Sequence, residues 1–158
     1  MSGLKLDPMA ASATLHCLTG CAIGEVLGLL AGAAFGLSNL LTIVISIALA
    51  FVFGFSLSSL PLLKAGLSLS QALPLVFAAD TLSITSMEIT DNLVMSVVPG
   101  AMDATLTSPL LWAAMPFSLG VAFLAAYPVN HYLLTKGKGH ALVMKYHHGA
   151  NHSHSKHH

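Results

Sequence analysis

Three carboxylates stand inside a run of membrane-spanning length that polar residues interrupt, A-A-D-T-L-S-I-T-S-M-E-I-T-D-N-L-V-M from Ala78 to Met95. Wound as a helix, Asp80, Met87, Glu88, Asp91 and Met95 fall at offsets 0, 7, 8, 11 and 15 and form one stripe, with Asn92 at its edge and Ser83 and Thr90 nearby. At about 1.5 Å of rise per residue, Asp80 and Asp91 are about 16 Å apart along the axis. They therefore lie within the depth of a bilayer rather than at its rim. An ionised Asp at the centre of a lone span costs about 2.5 to 3.5 kcal/mol to insert. The stripe must face the interior of a helix bundle.

A second cluster precedes it, H-C-L-T-G-C-A-I-G-E from His16 to Glu25. Cys17 and Cys21 are at i and i+4 and share a face, His16 adjoins them, and Glu25 follows one turn on. Thiols and thioethers select soft ions such as copper(I), imidazole suits most transition metals, and carboxylates suit harder ones. Taken singly, a buried acid is most simply a neutral group hydrogen-bonded to Ser, Thr or Asn, and a buried Cys a small packing residue. Taken together they are harder to dismiss. The four acids Glu25, Asp80, Glu88 and Asp91 have no Lys or Arg within the apolar runs, and only His16 and His131 offer cationic partners. Such acids either hold protons or share a cation from outside, as in an ion pathway. Ligation needs deprotonated thiols and carboxylates, so metal affinity should weaken as pH falls.

The elements that position these residues follow from composition. Of 158 residues, 55% are apolar and 8% charged, and the mean hydropathy is +0.80. A soluble domain carries about 25% charged residues, so an ordinary soluble fold is excluded. Net charge is zero and all six basic residues are Lys, which leaves no basic surface for nucleic acid. Two cysteines four residues apart make no disulfide framework. No nucleophile elbow, phosphate-binding loop, zinc-protease helix or dinucleotide fingerprint is present, so an enzyme is not expected. The apolar stretch after Ala10 outruns the about 7 to 15 residues of a signal h-region and reads as a retained anchor.

Four runs approach the about 20 residues that cross a bilayer: Ser12 to Gly36, Asn39 to Leu60, Leu73 to Val98 and Pro109 to Leu134. The expected fold is all-α, an integral membrane bundle of four transmembrane helices (residues 12–138) between an N-terminal segment (1–11) and a flexible His-rich tail (139–158). Between the second and third runs, Pro61, Lys64, Gly66 and Pro74 mark a loop or a short interfacial helix. Every Lys (Lys5, Lys64, Lys136, Lys138, Lys145, Lys156) falls on the side shared by both termini, which the positive-inside rule places in the cytoplasm. A prokaryotic inner membrane is the expected location. Gly20, Gly24, Gly28, Gly32 and Gly36 recur at every fourth position, a ridge that either packs within the bundle or joins copies into a homo-oligomer. Seven of the nine histidines lie from His140 onwards, a solvated segment able to collect metal weakly. Met102 and Asp103 read as a turn first and an entry ligand pair second. Trp112 and Tyr127 read as interfacial anchors, Met115 as packing, and Asn130 and His131 as polar residues near the last helix's end.

The segments His16–Glu25 and Ala79–Asn92, with P-G-A-M at 99–102 and P-V-N at 128–130, resemble a family of small integral membrane proteins defined as a domain of unknown function. That resemblance spans roughly Leu15 to His140 and implies a multi-pass membrane fold without an activity to carry over. From the ligands, the leading expectation is a lipid-embedded protein that binds and translocates a transition-metal cation, copper(I) first, then zinc, iron or manganese. His16, Cys17, Cys21, Glu25, Asp80, Met87, Glu88, Asp91, Asn92 and Met95 would form its metal site. Two rivals stand beside it: a redox protein with haem held by His16, His131 or Met87, and a structural or assembly subunit without transport.

Overall fold

A computed structural model describes residues 8–135 of the chain. It contains four helices: α1 (Pro8–Phe35), α2 (Asn39–Lys64), α3 (Leu69–Val97) and α4 (Pro109–Thr135). No strand occurs among the described residues. Three helices, α1, α2 and α4, are long and apolar enough to cross a membrane, and α3 makes a fourth if its two limbs are one span. Those limbs, Leu69–Ala78 and Asp80–Val97, meet at 48°. At the bend the Thr81 hydroxyl donates to the Phe77 carbonyl at 2.5 Å. Such a bond back to the i−4 carbonyl is a recognised cause of helix bending.

The helix boundaries correct the expected ones in four places, one of them α3, which begins at Leu69 rather than Leu73 and holds Pro74 inside the helix rather than in a loop. The first helix begins at Pro8, not Ser12, since proline suits a helix's first turn. It stops before Gly36, whose φ of 61° leaves the helix while Leu37 N–H reaches back to Gly32 O at 2.9 Å. No separate interfacial helix separates α2 from α3. The second helix runs on through Pro61 to Lys64, because Leu62 is fully buried against Ala72 and Val76 of α3. A second left-handed glycine, Gly66 at φ 96°, then reverses the chain, with Leu67 N–H on Leu62 O at 3.1 Å. Residues 1–7 and 136–158, including the His-rich tail, lie outside the described residues.

The glycine ridge packs within the bundle. A Cβ on Gly20 would come within 2.6 Å of Gly54 Cα on α2, and one on Gly24 would strike the Ala50 backbone. Gly28 faces Ser46, and Gly32 faces Thr42. Rising numbers on α1 meet falling numbers on α2, so the pair is antiparallel. Gly54 also receives Ile84 of α3, whose Cδ1 would lie 2.6 Å from an added Cβ. Three helices therefore close upon one glycine. Around it the core gathers Cys17, Cys21, Ala50, Ile84, Met87, Ala122 and Ala126.

Candidate functional site

With α1 and α2 locked together, the Cys face of α1 turns towards α3 and α4. The polar stripe of α3 turns inward to meet it. Asp80 and Met87 are almost fully buried, Asp91 and Met95 are 6% exposed, and Glu88 and Asn92 are half-buried. Along the α1–α3 interface Cys17 lies against Asp80 and Ser83, Cys21 against Glu88, and Glu25 near Glu88 and Asp91. Numbers rise together, so the two helices run parallel. Helix α4 returns antiparallel, setting Asn130 beside Ser83 and Ser118 beside Asp91.

These contacts stack into levels. At one end the 98–108 connection covers the bundle, and Asn39 Nδ2 donates to Asp103 Oδ1 at 2.9 Å. Trp112 Nε1 donates to Leu106 O at 2.7 Å, fixing the same segment to α4. Beneath lies a cavity of about 250 Å³ lined by Glu25, Glu88, Asp91, Asn92, Met95 and Asp103 among others, with no Lys or His in its wall. Asn92 donates to the Glu88 carbonyl at 2.8 Å, while Asp91 Oδ1 is buried without a hydrogen-bond partner. One turn deeper, Cys21 Sγ and Met87 Sδ are 4.0 Å apart.

The innermost level joins three helices. Asn130 Nδ2 on α4 donates to Thr14 Oγ1 on α1 and to Ser83 Oγ on α3, both at 2.9 Å. Thr14 in turn donates to Ala10 O at 2.6 Å. All three residues, with Cys17 and Asp80, are completely buried.

The structure thus divides the ten expected ligands. Cys21, Glu25, Met87, Glu88, Asp91 and Asn92 share the cavity or the sulfur level below it. Cys17 and Asp80 sit in a separate inner level. Met95 lines the cavity but packs chiefly with Leu111 and Met115. His16 joins none of these, because one residue of offset carries it about 100° round the helix. It is exposed, with Nδ1 on its own helix at Ser12 O, 2.7 Å. His131 is also exposed, its ring 6.2 Å from that of Tyr127. Among the described residues, no three His, Cys, Asp or Glu side chains are grouped closely enough to hold a metal ion as they stand. Sequence reasoning missed Thr14 and Ser118, and it read Asn130 only as a polar residue near the end of the last helix. Their signal was a small polar residue in an otherwise apolar run, visible yet without a partner until the helices are assembled.

Compared with known proteins, residues 8–139 match the family described as a domain of unknown function, DUF4396. The match runs from the first turn of α1 past the end of α4. The chain belongs to the DUF4396 family. No curated protein and no solved structure matches it. The four-helix unit with its acidic cavity is therefore the DUF4396 domain itself, and the His-rich stretch from His140 falls beyond it.

Proposed function

We propose that this DUF4396 protein is a multi-pass membrane protein that binds a transition-metal cation and carries it across the bilayer, with copper(I) as the preferred ion. The observation that carries the reading is the Cys21 Sγ–Met87 Sδ pair, 4.0 Å apart at the foot of an acidic cavity. Metal–thiolate bonds are about 2.3 Å long, so an ion seated between the two sulfurs could reach both. A thiolate and a thioether are soft ligands, which favours copper(I) over zinc, iron or manganese. Glu25, Glu88 and Asp91 supply negative charge above the pair. The cavity wall has no fixed cation, so an entering metal finds attraction and no competitor. The haem reading loses ground, since His16 and His131 both face outward while Met87 is buried.

Packing alone would also bring a cysteine and a methionine together, so the test must read metal. Full-length protein is purified in detergent, loaded with copper(I) under reducing conditions and analysed by mass spectrometry for bound metal. The His-rich tail is common to every variant, so only differences count. Cys21→Ser with Met87→Leu should remove about one ion per chain, and His16→Ala should remove none. Equal copper in wild type and the double variant would overturn the assignment.

A further inference from the structure

Below the sulfur pair oxygen atoms predominate, beside the single thiol of Cys17, and this inner level has a feature that packing leaves unexplained. Asn130 is completely buried, and its Nδ2 is spent on Thr14 and Ser83. Its Oδ1, on the same amide, is buried with no hydrogen-bond partner. A buried acceptor left unpaired loses the solvation it had in water and gains nothing in return. Such an atom calls for an occupant. In this orientation of the amide both hydroxyls accept from Nδ2, and Thr14 gives its own proton to Ala10 O.

We infer that this level is a second ion site, built for a small dehydrated monovalent cation of the sodium class, with Asp80, Asn130 Oδ1, Ser83 Oγ and Thr14 Oγ1 as its oxygen ligands. Three arguments select that class. An amide oxygen is a good ligand for a hard cation, so the orphaned atom can share an ion with Asp80; the competing occupant is a proton held on Asp80, which sodium would have to displace. Each hydroxyl accepts one hydrogen bond from Asn130 and keeps a second lone pair for an ion. Charge decides the rest: one carboxylate neutralises one monovalent cation, whereas a divalent ion beside Asp80 alone would leave a net charge buried among apolar helices. Ser83 links the parts, since it accepts from Asn130 and lies against Cys17, which also faces Asp80. The residues come from α1, α3 and α4, so an ion there would tie three helices together at the end opposite the cavity mouth. The inference stands apart from the copper reading, and its assay contains no transition metal.

The experiment is equilibrium binding of radioactive sodium to full-length protein in detergent, by scintillation proximity, in choline buffer with a chelator present. Saturable binding of about one sodium per chain is expected, displaced by unlabelled sodium. Asp80→Asn should abolish it, and Ser83→Ala should weaken it about tenfold, the scale of one lost ligand. If Asp80→Asn does not yield a monodisperse protein, the wild-type isotherm and Ser83→Ala still decide. Absence of saturable sodium binding in wild type overturns the inference and leaves a bound water as the occupant of Asn130 Oδ1. Binding that Ser83→Ala and Asp80→Asn leave untouched overturns it equally.

Discussion

Asp91 Oδ1 has no hydrogen-bond partner in a cavity that also holds Glu25 and Glu88, so proton occupancy and metal occupancy must compete there. The titratable groups around the site are Cys21 and Glu25 from α1, Glu88 and Asp91 from α3, and Asp103 from the 98–108 connection. Helix α4 offers only the Ser118 hydroxyl, and α2 contributes Asn39, Thr42 and Ser46 to the wall. Ligation uses the deprotonated thiol and carboxylates, so each proton released on binding makes affinity fall about tenfold per pH unit on acidification. Copper affinity of the wild type should therefore drop as pH is lowered from about 7.5 to about 5.5. Glu88→Gln with Asp91→Asn should start weaker and show a shallower slope, because fewer protons are exchanged. Competition against a copper(I) chelator at several pH values reads both quantities, and the shared His-rich segment, which titrates in the same interval, cancels in the comparison. Parallel slopes for the two proteins would remove the acidic stripe from the site.

Helix α1 meets α2 along Gly20, Gly24, Gly28 and Gly32, and the contact is backbone against backbone. A methyl added at Gly24 collides with the Ala50 main chain, which cannot rotate away as a side chain would. Gly24→Ala should cost about 1 to 3 kcal/mol and lower the melting temperature in detergent. Gly120, with nothing within 4 Å of an added Cβ, should accept Ala without loss. Comparable melting for both variants would mean the α1–α2 contact is looser than described. The existence of these helices was legible because long apolar runs and a 3.6-residue stripe are local properties of the chain. The inward face of α3 was legible for the same reason, since three acids can hide in only one direction. What α1's ridge packs against was not, because small residues pack equally well on a neighbouring helix or a second copy. Nor was the continuation of α2 through Pro61, where burial of Leu62 outweighs a residue that locally disfavours helix. Asn130 stayed obscure for a related reason: a single amide near a helix end says nothing of its partners 47 and 116 residues away.

For the molecule as a whole, the open question is which way the cavity faces, and it turns on whether α3 crosses completely. Its 48° bend would also suit a segment that enters and turns back. The pairing with α1 argues for crossing. Cys17, Cys21 and Glu25 meet Asp80, Glu88 and Asp91 in one parallel register, so α3 keeps company with α1 through most of its depth. Four crossings put both termini and the 65–68 turn on one side, together with all six Lys. The 36–38 turn and the 98–108 connection then share the other side, and both border the acidic cavity through Leu37 and Asp103. We propose the topology that the positive-inside rule favours, with the lysine side cytoplasmic; the mouth would then open outward and the Asn130 level would lie towards the cytoplasm. A fluorescent protein fused after His158 should therefore glow, and alkaline phosphatase inserted at Thr105 in a bacterial host should be active. With the N-terminus cytoplasmic, loss of both signals would mean that α3 does not span, because three crossings leave Thr105 inside and carry the C-terminus outside. Fluorescence at the C-terminus with an inactive phosphatase at Thr105 would leave the 98–108 connection in the cytoplasm, and the cavity would then open towards the cytoplasm.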